Sequence, residues 1–139
     1  DSTVYFLKKY VEHILNKNEI SLEVNNNKPY NFNYCLLNLY NDGNENIGMH
    51  SDDESAMIPF SPVVSLSLGE TRHFDIHHKI NTDEKYRYDI NFGDIMVMGG
   101  AFQTKFKHGA PVQKTVKNPR ISLTFRNIVN KKKNIYIYI

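Results

Sequence analysis

His50 and Asp52, separated by one residue, are the first side chains in this 139-residue chain whose types and spacing point to chemistry. On an extended backbone, side chains two positions apart lie on one face, so an imidazole and a carboxylate can converge on one ion. His108 follows much later, far enough along for intervening strands to cross a barrel and return. Two imidazoles and one carboxylate form the facial triad that holds Fe(II) with open coordination positions. Zinc bound by the same three ligands is the alternative.

The remaining histidines do not extend this candidate set. Consecutive side chains on a strand point to opposite faces, so the neighbours His77 and His78 cannot easily hold one ion together. His13 lies in a predicted amphipathic helix, and His73 has no partner in the pattern. All four are interpreted as surface or structural residues.

Two arginines distinguish the iron interpretation from the zinc one. Arg120 and Arg126 stand at the two ends of a strand-like segment in which every second residue is polar, so Ser122 and Thr124 share their face. An arginine that points into a barrel without a partner costs several kcal/mol. The pattern therefore predicts an anion inside. The opposite face is apolar, as expected where a barrel wall packs on an outer layer: Ile121, Leu123 and Phe125.

A second polar pair occurs where Asn38 and Tyr40 alternate with Leu37 and Leu39. Alternation places both donors on one strand face. Considered alone, they are interpreted as a hydrogen-bonded core pair. Together with two arginines and an open-sided metal, they could instead hold a small dicarboxylate whose other end chelates the ion.

These side chains need a scaffold, and the hydrophobic pattern predicts one helix followed by many short strands. Thr3 is predicted to cap a helix with apolar residues at helical spacing from Val4 to Leu15, ending near residues 16–18. After a turn at residues 25–29, runs rich in Ile, Val, Tyr and Phe are separated by Gly, Asn, Asp and Pro. Many short strands after one helix favour a sandwich or barrel. The predicted strands are 32–40, 63–68, 73–78, 86–90, 95–98, 121–128 and 135–139.

Composition limits the class of protein. The length fits one domain. With 17 basic and 15 acidic residues, the net charge is too small to indicate binding to nucleic acid or to a membrane. The single cysteine, Cys35, excludes an intrachain disulfide framework and is interpreted as a core thiol in a reducing compartment. No apolar run approaches the roughly 20 residues of a membrane helix. The Lys131–Lys133 run is interpreted as a solvated turn, and the Asp at position 1 suggests a fragment or processed form.

Several blocks, in order, resemble a known family. The chain between Phe32 and Ile128 is similar to AlkB-type dioxygenases that depend on Fe(II) and 2-oxoglutarate, most of all to the branch that repairs alkylated DNA. The resemblance is carried by residues 32–43, the Ile47–Glu54 segment with His50-Ser51-Asp52-Asp53-Glu54, residues 65–69 with Arg72-His73-Phe74, residues 93–98, Gln103, His108-Gly109-Ala110-Pro111 and residues 119–126.

The resemblance implies a mainly β fold, a double-stranded β-helix of jelly-roll type with one N-terminal packing helix. It implies His50, Asp52 and His108 as iron ligands, with Fe(II), 2-oxoglutarate and O2 as cofactor and cosubstrates. It makes Asn38, Tyr40, Arg120, Ser122 and Arg126 the expected 2-oxoglutarate contacts, with Arg120 at the distal carboxylate. The family usually carries Asn where this chain has Ser122, which weakens one contact.

The activity implied is oxidative demethylation of N-alkylated bases in DNA or RNA, of the 1-methyladenine or 3-methylcytosine type, with release of succinate and formaldehyde. Glu54 and Arg72 match substrate-side positions of the family, and the acidic pair Asp53-Glu54 beside the metal-binding turn suggests acceptors for a cationic base. Solvated loop acids and a surface strand arginine are the alternatives. Four lysines could meet phosphates or be ordinary surface residues: Lys105, Lys107, Lys114 and Lys117.

Residues 1–139 are expected to form one catalytic core without the nucleotide-recognition lid that the family places before its first catalytic strand. Phe60 and Phe102 could replace the lid aromatic in part, although packing is their expected role. The protein is expected to act as a monomer in the nucleus or cytoplasm, away from membranes. The alternatives are the same oxygenase chemistry on a protein or small molecule, and a non-catalytic β-barrel that binds nucleic acid or a metal.

Overall fold

Two four-stranded antiparallel sheets account for most of the computed structural model, which describes residues 1–129. The elements in chain order are α1 (Ser2–Asn16), α2 (Glu19–Val24), β1 (Tyr34–Tyr40), β2 (Ile47–His50), β3 (Val63–Gly69), β4 (Arg72–His78), β5 (Lys85–Ile90), β6 (Ile95–Met98), α3 (Phe102–Lys105), β7 (Phe106–Ala110) and β8 (Arg120–Arg126). Sheet A has the order β1-β8-β3-β6, and sheet B has the order β2-β7-β4-β5.

Strands distant in the chain are neighbours in both sheets. β8 lies between β1 and β3, with Asn38 opposite Ser122 on one side and Ser67 opposite Ser122 on the other. β7 lies between β2 and β4. Such interleaving of early and late strands in two sheets makes a double-stranded β-helix, and the predicted fold class is confirmed.

The predicted strand positions agree with the structure to within two residues for most elements. The run 121–128 ends earlier as a strand, at Arg126, and Ile128 forms only an isolated bridge with Met57. Strands β2 and β7 were not predicted, because each is short and contains a glycine, so they depend on pairing rather than on local propensity. The predicted strand 135–139 and the Lys131–Lys133 run lie outside the described residues.

The N-cap of the N-terminal helix lies two residues before the predicted one. Asp1, not Thr3, is the N-cap, and its carboxylate accepts a hydrogen bond from Thr3 N at 2.8 Å. A second helix, α2, follows directly and was not predicted. The Asn18 side chain caps α2 by accepting from Ser21 N at 2.9 Å. Asn18, which the sequence pattern placed in a polar stretch after the first helix, is therefore the N-cap of a second helix.

The hydrophobic core lies between α1 and the outer face of sheet A. Val11 and Leu15 of the helix pack against Leu123 and Phe125 of β8, which places the apolar face of that strand outward as the alternation predicted. Burial of each such side chain stabilises the fold by about 1.5–3 kcal/mol. The inner face of β8, which carries the two arginines, is thereby left to line the space between the sheets. Within residues 1–129, no helix has both the length and the apolar character needed to cross a bilayer.

One buried carboxylate fastens the helix to the sheet. Glu12 accepts a hydrogen bond from Phe32 N at 2.8 Å, just before β1 begins, and pairs with Lys8 and Lys9 at 3.1 Å each. Burial alone would raise the pKa of Glu12, but the Phe32 N–H and the two ammonium groups outweigh it and lower the pKa. The ionised form of Glu12 therefore stabilises the docked helix.

Candidate metal and cosubstrate site

The pairing of β2 with β7 places two histidines side by side. His50 is the register partner of His108, and their ring centroids are 4.4 Å apart. The two strands approach closely at Gly109, where a Cβ would lie 2.8 Å from Ile47 O. Only glycine allows this approach, so the His108-Gly109 pair serves the geometry of the site as well as its chemistry.

Asp52 completes a cluster of three possible ligands. Its carboxylate oxygens lie 3.6 Å from His50 Nε2 and 3.5 Å from His108 Nε2. One ligand atom from each residue can be chosen so that all lie within 4.8 Å of one another. Nδ1 of His50 lies 2.8 Å from Gly48 O, and because a carbonyl can only accept, Nδ1 carries the proton and Nε2 is the free ligand atom.

The electrostatics keep this carboxylate ionised. Burial alone would raise the pKa of Asp52, but the contacts with the imidazoles of His108 and His50 and the charge of Arg126 outweigh it and hold the pKa well below its ordinary value. The same contact with Asp52 raises the pKa of His50, against the opposing effect of burial. A deprotonated carboxylate beside two imidazoles is the donor set that a divalent transition metal needs.

Arg126 connects the ligand cluster to the space between the sheets. Its Nη2 donates to Asp52 Oδ1 at 2.9 Å, and its Nη1 lies 3.5 Å from the exposed Glu54 carboxylate. Its Nε is buried and has no partner among the residues that the structure describes. A buried N–H of a cation without an acceptor is costly, so this group fits an anionic ligand beside the metal.

Arg120 stands at the other end of the same strand face. Its Nε donates to Ser67 Oγ at 2.8 Å, which orients the guanidinium, and it has no carboxylate partner within residues 1–129. Burial lowers the pKa of Arg120, partly offset by the nearby Tyr40. The Tyr40 ring lies under this guanidinium, 5.6 Å from its central carbon. A buried, oriented and unpaired cation is a binding site for a carboxylate.

The two arginines line one narrow slot of about 60 Å³ together with the three possible ligands. Most of the polar lining predicted from the sequence is here: Asn38, Tyr40, Ser122 and Thr124. The apolar part of the wall includes Leu36 and Phe74. A slot with a metal-binding triad at one end and a guanidinium at the other fits a short diacid that chelates an ion. The residues present therefore fit Fe(II) and 2-oxoglutarate.

Arg72 does not lie where the resemblance implied. It is 1% exposed, and its guanidinium donates to Gln113 Oε1 and to the carbonyls of Asp42, Glu45 and Pro111 at 2.8–3.1 Å. It is therefore not a surface residue. Its donors bind groups in the loops at residues 42–45 and 111–113, and the Tyr40 ring lies 5.5 Å from its guanidinium.

A wider groove of about 470 Å³ opens on the other side of Asp52. The acids predicted to face a substrate, Asp53 and Glu54, both line it and are exposed. The groove also contains Phe60, which is 67% exposed and so does not pack, contrary to expectation. Phe102 does pack, since its ring lies 5.4 Å from Phe106. The volume is in the range of small-ligand sites.

The sequence interpretation assigned no role to two residues that hold the site. Gln103 Oε1 accepts a hydrogen bond from Asp52 N at 2.8 Å and so fixes the backbone of a ligand residue. Ser67 orients Arg120, as described above. Ser67 could have been found, because Ser65 and Ser67 alternate with apolar residues on β3 just as the polar residues of β8 do. Gln103 comes from a one-turn helix and carries no such periodic signal.

Comparison with known proteins agrees with this geometry. Residues 3–126 match the family described as the 2OG-Fe(II) oxygenase superfamily, and the chain belongs to that family. Because the match covers nearly all described residues, the triad and the arginine-lined slot fall inside the matched region. Iron and 2-oxoglutarate are thus the cofactor and cosubstrate of the family.

Curated relatives include proteins named as AlkB homologues. The chain is 38% identical over 109 residues to the mouse (Mus musculus) "DNA oxidative demethylase ALKBH2", covering 73% of this chain and 46% of the relative. It is 32% identical over 114 residues to the cattle (Bos taurus) "Alpha-ketoglutarate-dependent dioxygenase alkB homolog 3", covering 76% and 40%. The solved structure of OsALKBH1 matches with a TM-score of 0.59 and 30% identity, over 72% of this chain and 52% of that one. The chain thus spans less than half the length of these two curated relatives.

Proposed function

We propose that residues 1–139 form one catalytic core of a dioxygenase that uses Fe(II), 2-oxoglutarate and O2 to demethylate N-alkylated bases in nucleic acid. The observation that carries this proposal is the Arg126–Asp52 contact, which puts the ligand cluster and the diacid slot in one continuous site. The similarity to proteins named as DNA demethylase and alkB homologue supports the choice of substrate class.

Each residue of the site would have a separate role. His50, His108 and Asp52 would hold the metal, while Arg120 would bind the distal carboxylate of 2-oxoglutarate and Arg126 would face its metal end. The iron with 2-oxoglutarate and O2 would supply oxidation of an N-methyl carbon: 2-oxoglutarate would lose CO2 and take up one oxygen atom to become succinate, and the other oxygen atom would enter the methyl group. The hydroxylated methyl group leaves as formaldehyde and the base is restored.

The groove beside Asp52 supports a nucleobase substrate of the 1-methyladenine or 3-methylcytosine type. Such rings can carry a positive charge, and the exposed carboxylates of Asp53 and Glu54, which line this groove, support binding of a cation there. Glu54 also contacts Arg126, so substrate and cosubstrate sides share one charge network. Lys79 lines the same groove, and the exposed Lys105 is its backbone neighbour. Both could meet phosphates.

The remaining expectations stay part of this proposal. The protein would act as a monomer inside the cell, in the nucleus or cytoplasm. Lys107, Lys114 and Lys117 are exposed, as phosphate contacts would have to be. Salt dependence of oligonucleotide binding would show how many cations take part, because each phosphate contact steepens the dependence.

The test is turnover of a methylated oligonucleotide. We expect the chain with Fe(II) and 2-oxoglutarate to yield formaldehyde and succinate in equal amounts, and His50→Ala and Asp52→Ala to abolish both. His13→Ala, at an exposed helix position, is the matched control and should keep full activity. A panel of DNA and RNA oligonucleotides with different methylated bases gives the preference.

Two other outcomes contradict the proposal. Succinate formed only with a protein or small-molecule substrate would show the same oxygenase chemistry on another target. No succinate with any substrate, although Mn(II) binds and the binding is lost in His50→Ala, would show a non-catalytic metal-binding barrel.

A further inference from the structure

The groove beside Asp52 carries an aromatic side chain that neither packing nor the metal site accounts for. Phe60 is 67% exposed, although it lies in a loop whose neighbours are tied to the segment after β8 by backbone hydrogen bonds from Ile58 N and Val129 N. An exposed aromatic ring on an anchored loop is a rigid surface, and stacking on it costs little conformational entropy.

The backbone conformation at Phe60 is one that a bulky side chain rarely adopts. Ser61 N donates to Ile58 O at 3.2 Å, which closes a four-residue turn with Pro59 second and Phe60 third. Phe60 has φ of 61°, in the left-handed region that favours glycine. A turn with proline second and positive φ third ordinarily takes glycine or asparagine there. A bulky ring at this position is unfavourable for folding, so a role in binding explains it better than a role in stability.

The rest of the groove defines what the ring would meet. Phe60 shares the groove with the ligand residue Asp52 and with the exposed carboxylates of Asp53 and Glu54. A flat cationic ring satisfies both features, since it stacks on the aromatic face and pairs with the acids. An alkylated nucleobase taken out of its stack has this chemistry.

We propose that Phe60 is the stacking platform for the alkylated base, which rests on the function proposed above. Removing an aromatic platform weakens nucleic-acid binding by roughly 5- to 150-fold. Phe60→Gly and Phe60→Leu should therefore raise the KM for a methylated oligonucleotide within that range, and Phe60→Tyr should stay within about twofold of the parent. Phe60→Gly suits the backbone conformation, so it should fold with an unchanged or higher unfolding temperature.

The matched control is Phe92, which is 71% exposed and lies in the turn between β5 and β6. Phe92→Leu should leave the KM for the oligonucleotide unchanged. The KM for 2-oxoglutarate should be the same in all Phe60 variants. A higher KM for 2-oxoglutarate would show that the residue acts on the fold, and would overturn the proposal.

A direct readout uses the absence of tryptophan from the sequence. Phe60→Trp introduces a single indole, whose fluorescence should be quenched by a short oligonucleotide with one methylated base. The same oligonucleotide with an abasic site at that position should quench it much less. Equal quenching by both, or an unchanged KM in Phe60→Gly while the parent demethylates, would overturn the platform and leave the proposed function intact. Base-dependent quenching with no formaldehyde from the parent would overturn the proposed function and support the platform.

Discussion

Arg126 and Asp52, 74 positions apart in the chain, meet through a hydrogen bond of 2.9 Å in which both side chains are buried. The contact joins β8 to the loop after β2. It provides the carboxylate with a fixed cation and places that cation beside the anion slot. A single pair thereby couples the possible metal ligands to the predicted cosubstrate contacts.

Removing the arginine from this pair should destabilise the metal-free protein. Breaking a buried ion pair on one side costs about 3–5 kcal/mol, because the other charge stays buried without compensation. Arg126→Met should therefore lower the free energy of unfolding by about that amount, as measured by urea denaturation. It should also raise the KM for 2-oxoglutarate.

The control for this experiment is the other partner of Arg126. Glu54 is 63% exposed and lies 3.5 Å from Arg126, and an exposed pair contributes about 1 kcal/mol or less. Glu54→Gln should change stability by no more than that. If Arg126→Met costs no more than Glu54→Gln, the buried pair does not stabilise the site.

Gln103 should affect metal affinity without touching the metal. Gln103→Leu removes the acceptor that holds Asp52 N, and loss of an interaction that orients a ligand weakens metal binding by about 10- to 100-fold. Gln103→Glu keeps an acceptor oxygen and should restore binding in part. Thr104→Val, at the exposed neighbouring position in α3, is the control. Mn(II) titration by calorimetry measures all three, and an unchanged affinity in Gln103→Leu would contradict the positioning role.

Arg72 should matter for folding rather than for nucleic-acid contact. Its four hydrogen bonds join three segments, and hydrogen bonds from a charged donor contribute about 1.5–3 kcal/mol each. Arg72→Lys cannot reproduce the planar fork and should lower stability by at least about 3 kcal/mol. Arg87→Lys, in a pair whose arginine side chain is 56% exposed, should cost about 1 kcal/mol or less. If Arg72→Lys keeps its stability but binds the oligonucleotide more weakly, Arg72 contacts the substrate instead.

Glu12 should make helix docking sensitive to acid. Its pKa is lowered in the folded protein from the ordinary value of 4.5, so the stabilisation is present above that value and is lost as the pH falls through the folded pKa. Glu12→Gln removes this titration but keeps an acceptor for Phe32 N. Parent and variant should therefore differ in stability at pH 6 and converge toward pH 3. The exposed Glu19→Gln controls for general acid effects. A constant difference between the parent and Glu12→Gln at both pH values would exclude the linkage.

The alternating residues of β8 and β1 could be assigned from the sequence because a strand's two faces are a local property. Arg120, Ser122 and Arg126 line the slot for that reason, and Leu123 and Phe125 pack outward on α1. In the same way, the spacing of His50 and Asp52 predicted that their side chains share one face. The family blocks narrowed the predicted sandwich or barrel to a double-stranded β-helix and supported His108 as the third possible ligand.

Other features depend on contacts between distant segments and have no periodic signal. Strands β2 and β7 exist through pairing with each other at Gly109, so neither was visible in local propensity. The resemblance to the family placed Arg72 near a substrate. In the structure its guanidinium is buried and donates to three backbone carbonyls and to Gln113.

The sequence by itself determined side-chain types and their alternation: three side chains that could bind a metal, two arginines on one face and a run of short strands. Only the tertiary structure decided which partner each polar side chain binds and which side chains stay exposed. Arg126 pairs with Asp52, Gln103 holds the Asp52 backbone and Phe60 stays exposed in a turn that favours glycine. The physical reason is that side-chain type and strand periodicity are local. Burial and hydrogen-bond partners, in contrast, are set by residues far away in the chain.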